Sequence, residues 1–272
     1  MTQTDLRAGA LTIQVIGGPT ALLELGGLRL LTDPTFDPPG EYPVGGRSLT
    51  KITGPAVPLD HIGPVDAVLL SHDQHADNLD RSGQVYLAGV PLVLTTRAAA
   101  GRLGIGVTAL PPWRHVDLAR PDGAGTLRVT AVPAQHGPDG TEHIVGEVTG
   151  FVLAGSGLPT VYVSGDNASL DVVHRVAERF PRIDVALLFA GAARTPLLGE
   201  ANLTLDSRDA VTAARILGAE HVVPLHVEGW RHFTEGPERM RQAFIEAGLG
   251  DRLVAARAGE ETVLRPRPVS DT

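Results

Sequence analysis

The stretch Val65-Asp66-Ala67-Val68-Leu69-Leu70-Ser71-His72-Asp73-Gln74-His75-Ala76-Asp77-Asn78-Leu79-Asp80 passes in one step from an apolar run to a run of ligand-type side chains. Val65–Leu70 has the length of a strand. Broken only by Asp66, it lacks the alternation of a half-exposed strand and suits one buried on both faces. The histidines and aspartates follow at the point where such a strand ends, and a strand end is a rigid platform for holding polar side chains in fixed geometry.

Three other places repeat this design. Leu127–Val132 runs into Pro133-Ala134-Gln135-His136, Thr160–Val163 into Ser164-Gly165-Asp166, and His221–Leu225 into His226. A lone histidine at a strand end is ordinarily a surface or satisfied core residue. Four such ends in one chain, one of them carrying His72-x-x-His75-x-Asp77, point instead to a metal site. The chain has no cysteine, so thiolate ligands, disulfides and thiol nucleophiles are excluded and imidazole and carboxylate must hold any ion.

Around these ends the sequence reads as strands followed by helices, twice. Leu11–Ile16, Ala21–Leu25 and Leu28–Thr32 are strand-like, with Gly17-Gly18 and Gly26-Gly27 as hairpin punctuation. Residues 34–58, rich in proline and glycine, read as a surface loop. Leu92–Thr95 is a strand, with a short helix at Thr96–Leu103. Phe151–Leu153 and Thr160–Val163 form a hairpin, Leu170–Phe180 has helical spacing, and Val185–Phe189 is a buried strand. Ser207–Leu217 reads as a helix with Ser207 as N-cap and Gly218 as C-cap. Pro237–Ala247 is a last helix, and Leu253–Leu264 closes with β structure. With no fixed-period repeat and no low-complexity linker, this texture predicts an α/β (α+β) fold, a four-layer αββα sandwich formed as one domain over residues 1–272.

The totals exclude several classes. With 43% hydrophobic and 20% charged residues over 272 positions, the chain is neither disordered nor a membrane protein in composition. A net charge of −8 argues against a nucleic-acid surface, which needs basic patches for phosphates. No apolar run reaches the roughly 18 residues of a spanning helix, and Met1–Ala10 does not read as a signal peptide. The default expectation is a cytoplasmic protein; a homo-oligomer is left open. Gly155-Ser156-Gly157 does not match a nucleophile elbow, which disfavours a serine hydrolase.

Ser71–Asp80 resembles the His-x-His-x-Asp-His signature of the metallo-β-lactamase superfamily. Pro133–Gly137, Ser164–Asn167 and Pro224–His226 are similar to its later histidine, Gly-Asp and final histidine motifs, and Leu31–Pro34 to its Thr-Asp-Pro. The motifs occur in the family's order over most of the chain, and the branch they resemble holds ascorbate-phosphate lactonase-like and N-acylphosphatidylethanolamine phospholipase D-like proteins. The resemblance implies a hydrolase using metal-bound hydroxide on a small ester, lactone or phosphodiester. His72, His75 and His136 would hold the first metal, Asp77 and His226 the second, and Asp166 would bridge them. One or two zinc ions are implied, and manganese would suit the carboxylates of the second position. Asp77 would either orient the water or accept its proton, as a catalytic residue, or serve as a plain ligand of the second position. Asp33 and Asp80 are expected behind the ligands, holding imidazole N–H groups.

Two departures stand out. Two residues, not one, separate His72 from His75, which makes Asp73 an alternative ligand. Asn78 stands where the family has its third histidine, so the second position is one strong ligand short and is expected to bind more weakly; Asn78 could equally cap a following helix. A drifted, catalytically weak ligand-binding protein is the competing reading. Trp113-Arg114-His115 and Trp230-Arg231-His232 each combine an aromatic, an arginine and a histidine after a strand-like stretch. They are the expected pocket walls for an anionic small molecule. His61, His143, His174 and His221 are assigned to the surface or to structure.

Overall fold

The computed structural model describes residues 9–44 and 47–265. The stretch read as lacking a signal peptide therefore lies almost wholly outside the described residues. The first sheet is built from β1 (Leu11–Gly17), β2 (Thr20–Leu25), β3 (Leu28–Thr32), β6 (Ala67–Leu69), β7 (Val93–Thr95), β8 (Val107–Ala109) and β15 (Glu261–Leu264), in the order β15-β1-β2-β3-β6-β7-β8. The second has the order β14-β13-β12-β11-β10-β9, from β9 (His115–Ala119), β10 (Thr126–Pro133), β11 (Thr149–Ala154), β12 (Val161–Val163), β13 (Val185–Phe189) and β14 (His221–Leu225). The strands β4 (Gly40–Val44) and β5 (Arg47–Lys51) form a separate antiparallel ribbon.

Apart from the partly exposed edge strands β8, β9 and β15, both sheets are apolar on both faces. Leu11, Ile13, Leu23, Leu30 and Leu69 of the first sheet meet Val129, Phe151, Val185, Leu187 and Leu225 of the second in one core between the sheets. The intervening residues point outward. Ile16, Leu22, Leu31 and Val68 pack with Ile62 and Leu87 under α1 (Leu59–Ile62), α2 (Arg81–Leu87) and α3 (Arg97–Leu103). Val152, Ala186 and Leu188 pack under α5 (Leu170–Arg179), α6 (Ser207–Leu217) and α7 (Pro237–Glu246). A short helix, α4 (Glu142–Val145), lies outside these layers. The strand period of two thus sends alternate residues into two different cores, which is why these strands read as continuous apolar runs. This is the expected αββα sandwich. Among the described residues no helix is long and apolar enough to cross a membrane.

Strand direction positions the site. β12, β13 and β14 are mutually parallel, and β10 runs the same way because both it and β12 are antiparallel to β11. Their carboxyl ends, which lead to Asp166, His226 and His136, therefore share one rim. In the first sheet β3 and β6 are parallel, so the turns carrying Asp33 and His72 emerge together.

Several local expectations change. Residues 34–58 are not a plain loop: they carry the β4–β5 ribbon, whose polar strands gave no apolar period. β5 docks on the segment after β14, with the Ile52 N–H donating to Gly229 O at 2.7 Å and the Arg231 N–H to Thr50 O at 3.0 Å. The N-cap of α6 is Asp206, whose Oδ1 accepts from the Arg208 and Asp209 N–H groups at 2.9 Å; Ser207 is the first helical residue. Gly218 does take the left-handed C-cap, with φ 63°. The helix after the signature is capped by Asp80, not Asn78, through the Gly83 N–H at 2.9 Å.

Asp80 also anchors the ribbon. Lys51 Nζ lies 3.2 Å from Asp80 Oδ2, with both side chains almost wholly buried, and the Asp37 N–H donates to the same oxygen at 2.6 Å. Removing one partner of a buried ion pair leaves an uncompensated charge and costs about 3–5 kcal/mol. Lys51→Met is expected to lower the urea midpoint accordingly, and Lys51→Met with Asp80→Asn to regain most of it. A single variant as stable as the parent would show that the ribbon is not held by this pair.

Candidate metal centre

His72, His75, His136 and Asp166 each offer a donor atom within 4.8 Å of every other, and so do Asp77, Asp166 and His226. Asp166 belongs to both groups. In the first, His72 Nε2 lies 2.9 Å from His75 Nδ1, His136 Nε2 3.3 Å from the same atom, and Asp166 Oδ2 3.7 Å from His136 Nε2. In the second, His226 Nε2 lies 3.2 Å from Asp77 Oδ2 and 3.6 Å from Asp166 Oδ1. A tetrahedral ion with bonds of about 2.0–2.1 Å holds its donors roughly 3.3 Å apart, and both groups match that spacing.

The hydrogen-bond partners assign the imidazole protons so that lone pairs converge. Leu203 O can only accept, so His136 Nδ1, 2.9 Å away, carries the hydrogen and Nε2 presents its lone pair. Ser71 Oγ donates to Asp33 Oδ2 at 2.6 Å and therefore accepts from His72 Nδ1 at 3.0 Å, which again leaves Nε2 bare. Two bare nitrogens facing His75 Nδ1 cannot both be satisfied by its single proton. Across the site, His226 Nε2 and Asp77 Oδ1 are buried with no hydrogen-bond partner among the described residues. A cation satisfies every one of these atoms, so the residues present fit a divalent metal.

Local backbone explains the placement. Gly165, with φ 57°, turns the chain before Asp166 where a Cβ would meet Thr149 O at 2.5 Å. His226 is itself left-handed, with φ 56°, a conformation costing about 1–3 kcal/mol in a non-glycine residue. Its N–H donates to Gly18 O at 2.8 Å, and its ring stacks on Phe189 and packs tilted against Phe233, which holds it there.

Of the supporting residues, Asp33 reaches His72 through Ser71, whose N–H it also accepts at 2.6 Å. Burial pushes the Asp33 carboxyl up to about 7 against these hydrogen bonds. Asp80 does not touch an imidazole: it caps α2 and pairs with Lys51. Asp73 is turned away, its carboxylate taking Arg102 Nε at 2.9 Å. Asn78 is wholly buried in the site, and its Nδ2 donates at 3.1 Å to both Asp33 Oδ2 and Asp166 Oδ1.

The groups open into a cavity of about 300 Å³ whose floor includes His75, Asp77, His136, Asp166 and His232. The expected walls divide. His232 lines it, with Nε2 3.0 Å from Asp77 Oδ2. Trp230 is buried beneath the ribbon, edge-on to Tyr42, and Arg231 is exposed on the outer side. Trp113 lies on the helix-covered face against Arg179, and Arg114 and His115 are exposed; none lines the cavity, because β9 is the edge strand farthest from β14. The arginines that do line it are Arg47 and Arg194. Arg47 NH1 donates to Thr195 Oγ1 at 2.6 Å across the mouth, and Arg194 Nε to Asn202 Oδ1 at 3.0 Å. Neither sits in an apolar period or a motif, so no signal in the sequence pointed to them. His61, His143 and His174 are exposed and His221 half-buried, all outside the site.

The chain belongs to the beta-lactamase superfamily domain family, whose profile matches residues 28–227. A metal-dependent hydrolase from Pyrococcus furiosus is 24% identical over 217 residues, covering 75% of this chain and 84% of that one. Another from Anaeromyxobacter dehalogenans strain 2CP-1 is 30% identical over 68% of this chain and 61% of its own length. The crystal structure of isothiocyanate hydrolase from Delia radicum gut bacteria superposes with a TM-score of 0.77 at 22% identity, covering 92% of this chain and 98% of that one.

Charge differs between the two groups. Burial and the neighbouring imidazoles depress His75 to about 4 and His72 well below its ordinary value. Burial also opposes protonation of His226, but the carboxylates of Asp166 and Asp77 outweigh it and raise its pKa. His226 therefore keeps a proton further into the neutral range than free histidine, and a metal there must displace it. Binding at the second position is expected to release a proton and to weaken as pH falls through neutrality. Calorimetric titration in two buffers of different ionisation enthalpy checks this; identical heats for the second binding event would contradict it.

Proposed function

We propose that the chain hydrolyses a small ester, lactone or phosphodiester that carries an anionic group, on a single domain. His72, His75 and His136 hold one divalent metal, Asp77 and His226 a second, and Asp166 lies between them. The observation that carries this reading is the pair of donor groups sharing Asp166 at the floor of a cavity. Zinc suits the imidazole-rich first group, and manganese is the alternative where carboxylates weigh more. A divalent metal bound there supplies Lewis acidity toward a carbonyl or phosphoryl oxygen and makes water acidic enough to ionise near neutral pH.

The chain's own residues do the rest. Although burial works against it, His232 and His226 hold the Asp77 carboxyl well below the usual carboxylate range. It is therefore a poor proton acceptor at neutral pH, and we read it as a ligand rather than as the general base. Asn78 and Asp33 fix Asp166 and His72 from behind. Leu203, Val145 and Leu197 give the cavity an apolar wall. Arg47, with one N–H on Thr195, turns its remaining donors toward a bound anion.

Hydrolysis of a panel of these three substrate types should vanish with chelator and return with zinc or manganese. His136→Ala and Asp166→Ala should remove most of it. Full turnover in chelator would end this reading, and no turnover by the fully metallated protein would favour the ligand-binding alternative. A hydrogen bond to a charged group contributes about 1.5–3 kcal/mol. Arg47→Ala should therefore raise KM for an anionic substrate by about 10-fold or more and leave a neutral analogue unaffected. An equal rise for both would move the anion grip elsewhere.

A further inference from the structure

The second donor group contains one imidazole, where the first contains three. Asn78 does not make up the difference. The end of its amide that faces Asp33 and Asp166 donates to the Asp166 carboxylate at 3.1 Å, so that end is the N–H end. It steadies the shared carboxylate and presents no lone pair on that side; its Oδ1, at the other end of the amide, is buried without a partner among the described residues.

Another imidazole reaches the same place from elsewhere. His232 lies six residues beyond His226, on the loop that follows β14. Its Nε2 stands 3.0 Å from Asp77 Oδ2, the oxygen that His226 Nε2 approaches at 3.2 Å. Both separations match the roughly 3.3 Å between donors of one tetrahedral ion. The ring faces the cavity, its side chain is 17% exposed, and its Nδ1 is buried without a partner. The loop is placed from behind: the Arg194 N–H donates to His232 O at 3.2 Å, and the ring packs edge-on against Phe233 at 4.6 Å. His232 meets only Asp77 at this spacing: it stands outside the three donors that lie mutually within 4.8 Å, so its ring would have to swing toward Asp166 and His226 for one ion to take all four.

We propose that His232 is a ligand of the second metal position, an imidazole supplied from the loop after β14 in place of the one absent at position 78. This rests on the two-metal reading above. It also removes the shortfall expected from the sequence: the position has Asp77, His226, His232 and the shared Asp166. A histidine that only hydrogen-bonds a ligating carboxylate typically changes metal affinity by about 10–100-fold when lost. Loss of a ligand should exceed that range.

The test uses the full chain as wild type, His232→Ala and His232→Gln, the last guarding against a packing defect in the alanine variant. Metal-free protein is titrated with zinc against a chromophoric chelator, and the cobalt-loaded forms are compared by proton NMR. Wild type should take up two metals. Both variants should keep the first at unchanged affinity and bind the second more than about 100-fold more weakly. Each should lose the hyperfine-shifted resonances of one imidazole, and added imidazole should restore the second metal to His232→Ala. Two metals at wild-type affinity in both variants, or an unchanged hyperfine spectrum, would overturn the assignment of His232 while leaving the two-metal site standing. A wild-type chain that never binds a second metal would overturn both.

Discussion

The carboxylate of Asp166 lies between two sets of nitrogen donors, 3.7 Å from His136 Nε2 on one side and 3.6 Å from His226 Nε2 on the other. Everything around it serves to hold such a group in a buried place. Asp33, Asp77 and Asp166 are each buried to within a few per cent, and a cluster of buried carboxylates is unfavourable unless paired and hydrogen-bonded. The arrangement meets that demand on each side. Asn78 donates to Asp33 and Asp166, Ser71 donates to Asp33, and imidazoles face Asp77. What it leaves unmet is a set of converging imidazole nitrogens, which a divalent cation satisfies.

The fold makes this convergence possible by aligning strand ends. Because β10, β12 and β14 run one way in the second sheet, and β3 and β6 share a direction in the first, five turns carrying polar residues meet at one rim. The two-sided burial of both sheets keeps that rim rigid, since a slip of one residue in any strand would exchange the two cores. The β4–β5 ribbon then closes one side of the cavity. It is fastened by Lys51 on Asp80 and by its hydrogen bonds to the loop that carries His232. The same ribbon brings Arg47 to the mouth, so the metal floor and the cavity wall are parts of one connected structure.

The six residues proposed as ligands were legible because each follows an apolar run that had to be a strand, and a polar residue at a strand end is conspicuous. The sandwich was legible for the same reason: strands buried on both faces cannot hide. The cavity was not. β4 and β5 are polar, short and interrupted by proline and glycine, so their pairing leaves no periodic trace. Arg47 and Arg194 owe their places to tertiary docking alone. The segments around Trp113 and Trp230 look alike in composition, yet one belongs to the edge strand farthest from β14 and packs under α5, while the other follows β14 directly. Composition records which groups are present; strand order decides which of them meet. Asp80 shows the reverse error, since a helix-capping aspartate and an imidazole-holding aspartate are indistinguishable until the helix is seen.

Asp166 is proposed to serve two metal positions at once. Diffraction from crystals of the zinc-loaded chain, with data on both sides of the zinc absorption edge, tests this most directly. Two anomalous peaks should flank the Asp166 carboxylate, one within about 2.0–2.2 Å of nitrogens of His72, His75 and His136, and the other at the same distance from Asp77 and His226. A single peak, or peaks that leave Asp166 outside the coordination of both ions, would contradict the proposal.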